Sequence, residues 1–165
     1  MSTCLFAGTF DPITVGHTKM IEKLLNKYDK VVVAIGVNPL KTPLFSLEDR
    51  LSFIKKAFEN SSRVEVDSYT SLTVEYMQKK GIKILVRGIR NQEDMLFERE
   101  NEEKSKNIYP ELITEYVLAE EKDKSVSSTE VRKAIENGKE YKNLVPKESY
   151  LLIEQVVKKL KENKG

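Results

Sequence analysis

Residues 30 to 37, KVVVAIGV, constrain the fold more than any other stretch of the chain. The run is β-branched, apolar and without alternation, so a strand formed here has no face to offer water. It must be covered on both sides, which is the condition of a central strand in a parallel sheet flanked by helices. The rest of the chain supplies further strands and the covers. CLFA, at 4 to 7, reads as a short buried strand, and Met20, Ile21, Leu24 and Leu25 then recur at helical spacing. Ser46, with Asp49 three residues on, predicts a capped helix through about Phe58 whose apolar face is Leu47, Leu51, Ile54 and Phe58. RVEVD (63 to 67) is a third strand, Leu72, Val74, Tyr76 and Met77 give a helix ending near Gly81, and KILVR (83 to 87) is a fourth strand with Arg87 at its carboxyl end.

From Arg90 to Asn107 the chain is helical by composition but has only Met95, Leu96 and Phe97 as apolar anchors before Ile108, which predicts a largely solvated helix. Glu111 to Leu118 is a fifth strand. Ser127 or Ser128 caps a helix through Ala134 and Ile135 that stops at Gly138, NLVP is a loop, and Glu148 to Lys161 is a last amphipathic helix. The alternation predicts an α/β fold, a Rossmann-like doubly wound five-stranded parallel sheet. At 165 residues with 39% hydrophobic content the chain suffices for one core, so residues 1 to 165 are expected to form a single domain.

A net charge of +2 is too small to indicate nucleic acid, while a pI of 8.5 suits anionic small ligands. Cys4 is the only cysteine and sits in the first apolar run, which excludes a disulfide framework and a cysteine metal cluster. No window approaches the ~20 apolar residues of a membrane span, and the start lacks a basic segment followed by an apolar one. A cytoplasmic protein without membrane or nucleic-acid partners is expected.

Chemistry concentrates in AGTFDPITVGH, from Ala7 to His17, which joins the first strand to the first helix. Gly8 permits close backbone approach to a ligand, and Gly16 with His17, the only histidine, stands where free helix N–H groups attract anions. In an open parallel sheet ligands bind beyond the carboxyl ends of the strands at the point where strand order reverses. That places Gly8 and Thr9, Asn38 to Lys41, Arg87 to Arg90, and Ser125 to Thr129 around one crevice. Neither GxxxxGK[ST] nor GxGxxG is present, and no Cys/His or Ser/His pair competes. The set suits phosphate chemistry. Nucleotidyl transfer needs alignment and charge stabilisation more than covalent help. His17 can donate to a phosphoryl oxygen, Lys41 between Pro39 and Pro43 is a mobile point charge, and Arg90 offers a planar fork. These three are the candidate catalytic residues, and His17 and Lys41 are expected in solvent-reachable loops. Asp11 before Pro12 suits bonding to nearby backbone N–H groups as well as it suits a metal; the structural role is the expectation, and with it no metal site on the protein.

GTFDPITVGH, NPLKTPLFSLEDR, LVRGIR and SVSSTEVR, in this order and at these separations, resemble the phosphopantetheine adenylyltransferases of the nucleotidyltransferase superfamily nearly end to end. The resemblance implies ATP and 4′-phosphopantetheine as substrates, dephospho-coenzyme A and pyrophosphate as products, magnesium held mainly through ATP phosphates, and a homo-oligomer, usually a hexamer. It implies that His17 stabilises the transition state. Thr9, Lys41, Thr73 and Arg87 would contact phosphopantetheine. Thr9, Phe10, His17, Gly88, Ile89, Arg90, Glu98 and the loop Asp123, Lys124, Ser125, Val126, Ser127, Ser128 and Thr129 would contact ATP. A related enzyme acting on nicotinamide mononucleotide or a phosphorylated polyol, or an inactive nucleotide-binding module, are the alternatives.

Two departures stand out. Phe97 replaces the aromatic hydroxyl side chain usual before the glutamate, and RENEEKSKN fills 99 to 107 where relatives carry apolar residues and an Ala-x-x-Asn pattern. With charged walls there, the acceptor is expected to bind chiefly through its phosphate, unless an apolar surface around Leu72 and Tyr76 takes over.

Overall fold

The computed structural model describes residues 2–119 and 126–164. Five strands, β1 (Thr3–Gly8), β2 (Lys30–Gly36), β3 (Val64–Tyr69), β4 (Ile84–Ile89) and β5 (Ile113–Leu118), form one sheet in the order β3-β2-β1-β4-β5. Every pairing is parallel. Among the described residues six α-helices connect and cover it: α1 (Val15–Leu25), α2 (Leu47–Ala57), α3 (Thr73–Lys80), α4 (Gln92–Ile108), α5 (Ser128–Glu136) and α6 (Tyr150–Lys164). The expected α/β architecture is the observed one.

The run at 30 to 37 explains the layering. Val31, Val33 and Ile35 of β2 point into one core with α1, α2, α5 and α6, while Val32 and Ala34 point into a second with α3 and the segment after α4. Both faces of the strand are buried, as its composition requires. Helix starts follow their caps. Ser46 Oγ accepts from Asp49 N at 3.1 Å, Asn91 Oδ1 from Asp94 N at 2.8 Å, and Ser127 Oγ from Glu130 N at 3.2 Å. Gly81, at φ 73°, closes α3 in the left-handed conformation that glycine adopts without strain.

Several boundaries differ from expectation. β4 continues through Gly88 and Ile89, because β5 keeps pairing in register to Leu118, so Arg87 lies inside the strand and not at its end. α3 begins at Thr73, which leaves Leu72 as its N-cap and 55% exposed. α2 fully buries Arg50 and Phe53 beside Ile54, with Leu47, Leu51 and Phe58 only partly buried. The sequence pattern missed Arg50 because a charged residue is not read as core.

α4 buries no residue at all and is solvated as expected. Polar clasps hold it to the sheet: Glu98 to Arg87 on β4, and Glu102 to Tyr116 on β5.

The sheet opens where the strand order reverses. β1 and β2 pair as far as Gly8 and Ile35, and β4 and β5 as far as Ile89 and Leu118, but β1 and β4 pair only from Cys4 and Ile84 to Phe6 and Val86. Beyond Phe6 the two central strands part, and the backbone of Ala7 and Gly8 faces a crevice whose other wall is Arg87 and Gly88.

Candidate active site

A cavity of about 460 Å³ occupies this split. Thr9, Phe10, His17, Lys41, Arg87, Gly88, Arg90, Glu98, Val126, Ser127, Ser128 and Thr129 all line it. Ile89 does not: its side chain is 2% exposed and borders a neighbouring hollow with Asn91, Gln92, Met95 and Leu118. Thr73 lines a different cavity, beneath α4, which shares Arg87 and Glu98 with the first. Asp123, Lys124 and Ser125 lie outside the described residues.

His17 is not in a loop. It is the third residue of α1, half-buried, and completes that helix's cap. Thr14 Oγ1 accepts from His17 N at 3.4 Å, and His17 Nδ1 accepts from Thr14 N at 3.0 Å, the place usually filled by a glutamate. With Nδ1 engaged as acceptor, the ring proton sits on Nε2. Burial, and secondarily the positive charge of Arg90, lower the imidazole from 6.5 to about 4. The ring is therefore a neutral donor at ordinary pH. Phe10 packs edge-on against it at 4.9 Å between ring centroids. Phe10 itself has φ 47°, a strained region for a bulky residue, and its ring lies close over Gly8, where a Cβ would crowd it at 3.2 Å.

The loops around His17 are locked by two buried charges. Asp11, 3% exposed, accepts from Leu44 N at 2.8 Å and Phe45 N at 3.0 Å, which ties the Lys41 loop to the opening motif. Its oxygen lies 3.7 Å from Arg132 Nη1, which also donates to Asp11 O at 2.8 Å, while Arg132 Nη2 donates to Thr129 Oγ1 at 3.1 Å. Arg50, 5% exposed, donates to Thr9 O and Phe45 O, both at 3.1 Å. Burial lowers its pKa and the Asp11 charge opposes that. Ser128 Oγ donates to Pro12 O at 2.7 Å. Asp11 thus has the structural role, bonding backbone N–H groups, but those of Leu44 and Phe45 far along the chain and not its sequence neighbours. Among the described residues no three His, Cys, Asp or Glu side chains cluster as a metal site would need.

The exposed Lys41 follows a turn in which Asn38 O accepts from Lys41 N at 3.1 Å. Arg87 forms a two-point pair with Glu98, Nε to Oε2 at 2.9 Å and Nη2 to Oε1 at 3.0 Å, and reaches across the split to Ala7 O at 3.3 Å. The exposed Arg90 has Nε 3.5 Å from Asp94 Oδ2. Among the described residues four cations, Lys41, Arg87, Arg90 and Arg132, thus face one cavity with Asp94 and Glu98 as its acids. With neutral His17 Nε2–H they can align and stabilise phosphates. Arg132 and Arg50 were missed in the sequence. Arg132 had a signal, three residues after Thr129 on the same face of α5, whereas Arg50's contacts with Thr9 and Phe45 have no local signature.

The cytidylyltransferase-like family matches residues 5–134. Phosphopantetheine adenylyltransferase of Thermotoga neapolitana is 38% identical over 160 residues, 97% of this chain and 98% of the relative. The enzymes of that name from Christiangramia forsetii (36%, covering 88% and 96%) and Clostridium botulinum (33%, covering 99% and 98%) are similar too. Among solved structures, a Vibrio parahaemolyticus protein described as a nicotinate-nucleotide adenylyltransferase superposes with TM-score 0.71 at 20% identity, covering 95% of each chain. A bifunctional NMN adenylyltransferase/ADP ribose pyrophosphatase of Francisella tularensis gives 0.65 at 20% identity, over 87% of this chain and 44% of that one. At that identity the two structures show the fold.

Proposed function

This chain belongs to the phosphopantetheine adenylyltransferases, within the cytidylyltransferase-like family, and from that membership we propose that it transfers the adenylyl group of ATP to 4′-phosphopantetheine, giving dephospho-coenzyme A and pyrophosphate. The observation that carries the reading is the junction of two cavities at the Arg87–Glu98 pair. The cationic cavity at the split between β1 and β4 takes the nucleotide, the cavity beneath α4 takes the acceptor arm, and Arg87 stands between them for the acceptor phosphate.

In the reaction an oxygen of the acceptor phosphate attacks the α-phosphorus of ATP. A new P–O bond forms, the bond to the β-phosphate oxygen breaks, and pyrophosphate leaves. No proton has to be removed from the nucleophile, so the work is alignment and charge stabilisation. His17 Nε2–H donates to the phosphoryl oxygen that gains charge. Being neutral and capped by Thr14, it holds that orientation without reorganising. Lys41 and Arg90 neutralise the charge on the phosphates, and Arg132 adds a fourth cation that Asp11 keeps in place. Thr9, Phe10, Gly88, Glu98 and Val126 to Thr129 complete the nucleotide site, and Thr73 the acceptor site. Magnesium enters with the substrate as MgATP, held by phosphates and water. The engagement of Asp11 with two N–H groups and of Glu98 with Arg87 supports that reading.

The same reading takes the chain as one domain, cytoplasmic and homohexameric. The outer edge of β5, with Ile113 and Leu118 56% and 64% exposed, supports an assembly. Among the described residues no helix is long and apolar enough to cross a membrane. Pyrophosphate release, measured with ATP against phosphopantetheine, nicotinamide mononucleotide and phosphorylated polyols, tests the activity. Release with phosphopantetheine alone is the expected result, and release with another acceptor in its place would overturn the assignment.

A further inference from the structure

The cavity beneath α4, about 330 Å³, joins two unlike walls. Leu72, Val74, Leu85 and Leu112 make one apolar side, extended by Ile108 at the end of α4, and Tyr76 takes no part in it. The α4 side carries Asn101, Glu102, Lys104 and Ser105, while Arg99, Glu100, Glu103 and Lys106 face elsewhere. The charged helix therefore lines the cavity with only part of its charge, and one member of that part is fixed. Tyr116 Oη donates to Glu102 Oε2 at 2.8 Å from β5, where Tyr116 is in register with Arg87. Burial, then the adjacent Glu102, push the Tyr116 phenol up to about 12, so it stays a donor. That bond engages one carboxylate oxygen of Glu102, Oε2. Thr114 Oγ1, in the same cavity, is buried and has no hydrogen-bond partner among the described residues. Such orphaned hydroxyls are rare in folded proteins.

We propose that Glu102, held by Tyr116, determines which acceptors this enzyme accepts: its carboxylate takes a hydrogen bond from an amide N–H of the acceptor arm and repels an acceptor that carries a carboxylate at that depth. Thr114 then supplies its hydroxyl to an amide carbonyl. This rests on the assignment of the cavity to the acceptor. With the phosphate at the Arg87 end, Glu102 stands one helical turn beyond Glu98, about 6 Å further along α4 in the wall of the same cavity, which on this assignment holds the arm. A carboxylate can only accept hydrogen bonds, so it complements N–H and opposes another anion. Lys104 is exposed on a flexible stem and can turn to water, whereas Glu102 is half-buried and tied.

The test compares kcat/KM for phosphopantetheine with that for the analogue whose chain ends in a carboxylate in place of the second amide. It is run on the wild type, Glu102→Gln and Tyr116→Phe, with melting curves to confirm folding. Because α4 buries nothing, Glu102→Gln leaves the core untouched. The wild type should favour the amide acceptor, and Glu102→Gln should shrink that preference roughly tenfold, the scale of one like-charge contact in a partly solvated wall. Tyr116→Phe, which releases Glu102, should shrink it less. An unchanged ratio in Glu102→Gln, or a wild type that prefers the carboxylate analogue, would overturn the proposal, the latter by assigning selectivity to Lys104. A wild type inactive on both acceptors yet active on an unrelated phosphorylated compound would remove the assignment beneath it as well.

Discussion

Asp11→Asn tests the claim that the opening motif acts as a clamp on the Lys41 loop. The wild-type carboxylate accepts from two backbone N–H groups, at 2.8 and 3.0 Å, and faces Arg132 at 3.7 Å. Asparagine keeps the shape but has one acceptor oxygen, so its amide N–H₂ must point at Leu44 N–H or Phe45 N–H. Leaving one buried N–H unpaired costs about 1–3 kcal/mol. The guanidinium groups of Arg50 and Arg132 also lose their nearby negative charge, although both retain carbonyl partners, Thr9 O and Phe45 O for one and Asp11 O for the other. That keeps the second loss well below the 3–5 kcal/mol of a stranded buried ion. A total of about 3 kcal/mol is expected, which for a chain of this size lowers Tm by roughly 10 °C. Turnover should fall as well, since the loop carrying Lys41 is no longer pinned. Thermal unfolding at neutral pH and a magnesium titration of the rate, done together, decide the matter. If the variant melts within two or three degrees (~1 kcal/mol) of the wild type but needs far more magnesium, Asp11 is a metal ligand and the clamp argument is wrong.

Three further outcomes follow from the site. His17→Asn should lower kcat by roughly 10²-fold, as loss of one preorganised donor does. The wild-type ring, held from 6.5 down to about 4, binds fewer protons folded than unfolded; its contribution to stability is full above pH 6.5 and is lost as pH falls towards 4. The wild type should therefore lose up to about 3 kcal/mol across that window that the Asn variant does not lose, as read by denaturant unfolding at pH 4.5 and 7; parallel pH curves would refute the shift. Lys41→Ala should cut kcat/KM by a similar roughly 10²-fold with Tm unchanged, because the side chain is exposed, and an early-melting variant would place Lys41 in the fold and not the mechanism. Gly8→Ala should push the Phe10 ring, 3.2 Å from the new methyl, and through it His17, so turnover should fall up to about 10²-fold; normal turnover in a folded variant would uncouple Phe10 from catalysis.

The order of elements, the parallel sheet and the place of the crevice are legible in the sequence, because each depends on short-range chemistry. KVVVAIGV can only be a doubly covered strand, Ser46 and Ser127 cap the helices that follow them, and the Gly-containing loops fall at carboxyl ends by the direction of the chain. The side chains that gather at the crevice were legible for a similar reason, since loops after parallel strands converge wherever the order reverses. What the tertiary structure decided is how those side chains are held and what protonation they carry. Asp11 meets Leu44, Arg50 meets Thr9 and Arg132 meets Asp11 across 33, 41 and 121 residues of chain, and no local pattern records such meetings. His17 reads as a solvent-reachable loop residue until its ring is seen bonded to Thr14 in the cap of α1 and packed edge-on against Phe10, buried enough to stay neutral. Charged α4 reads as a helix that would spoil an apolar pocket, yet which of its charges face the cavity is set by the angle at which Glu98 and Glu102 clasp Arg87 and Tyr116. That angle comes from the placement of β4 and β5 beneath the helix, and α4 has no buried residue of its own to specify it.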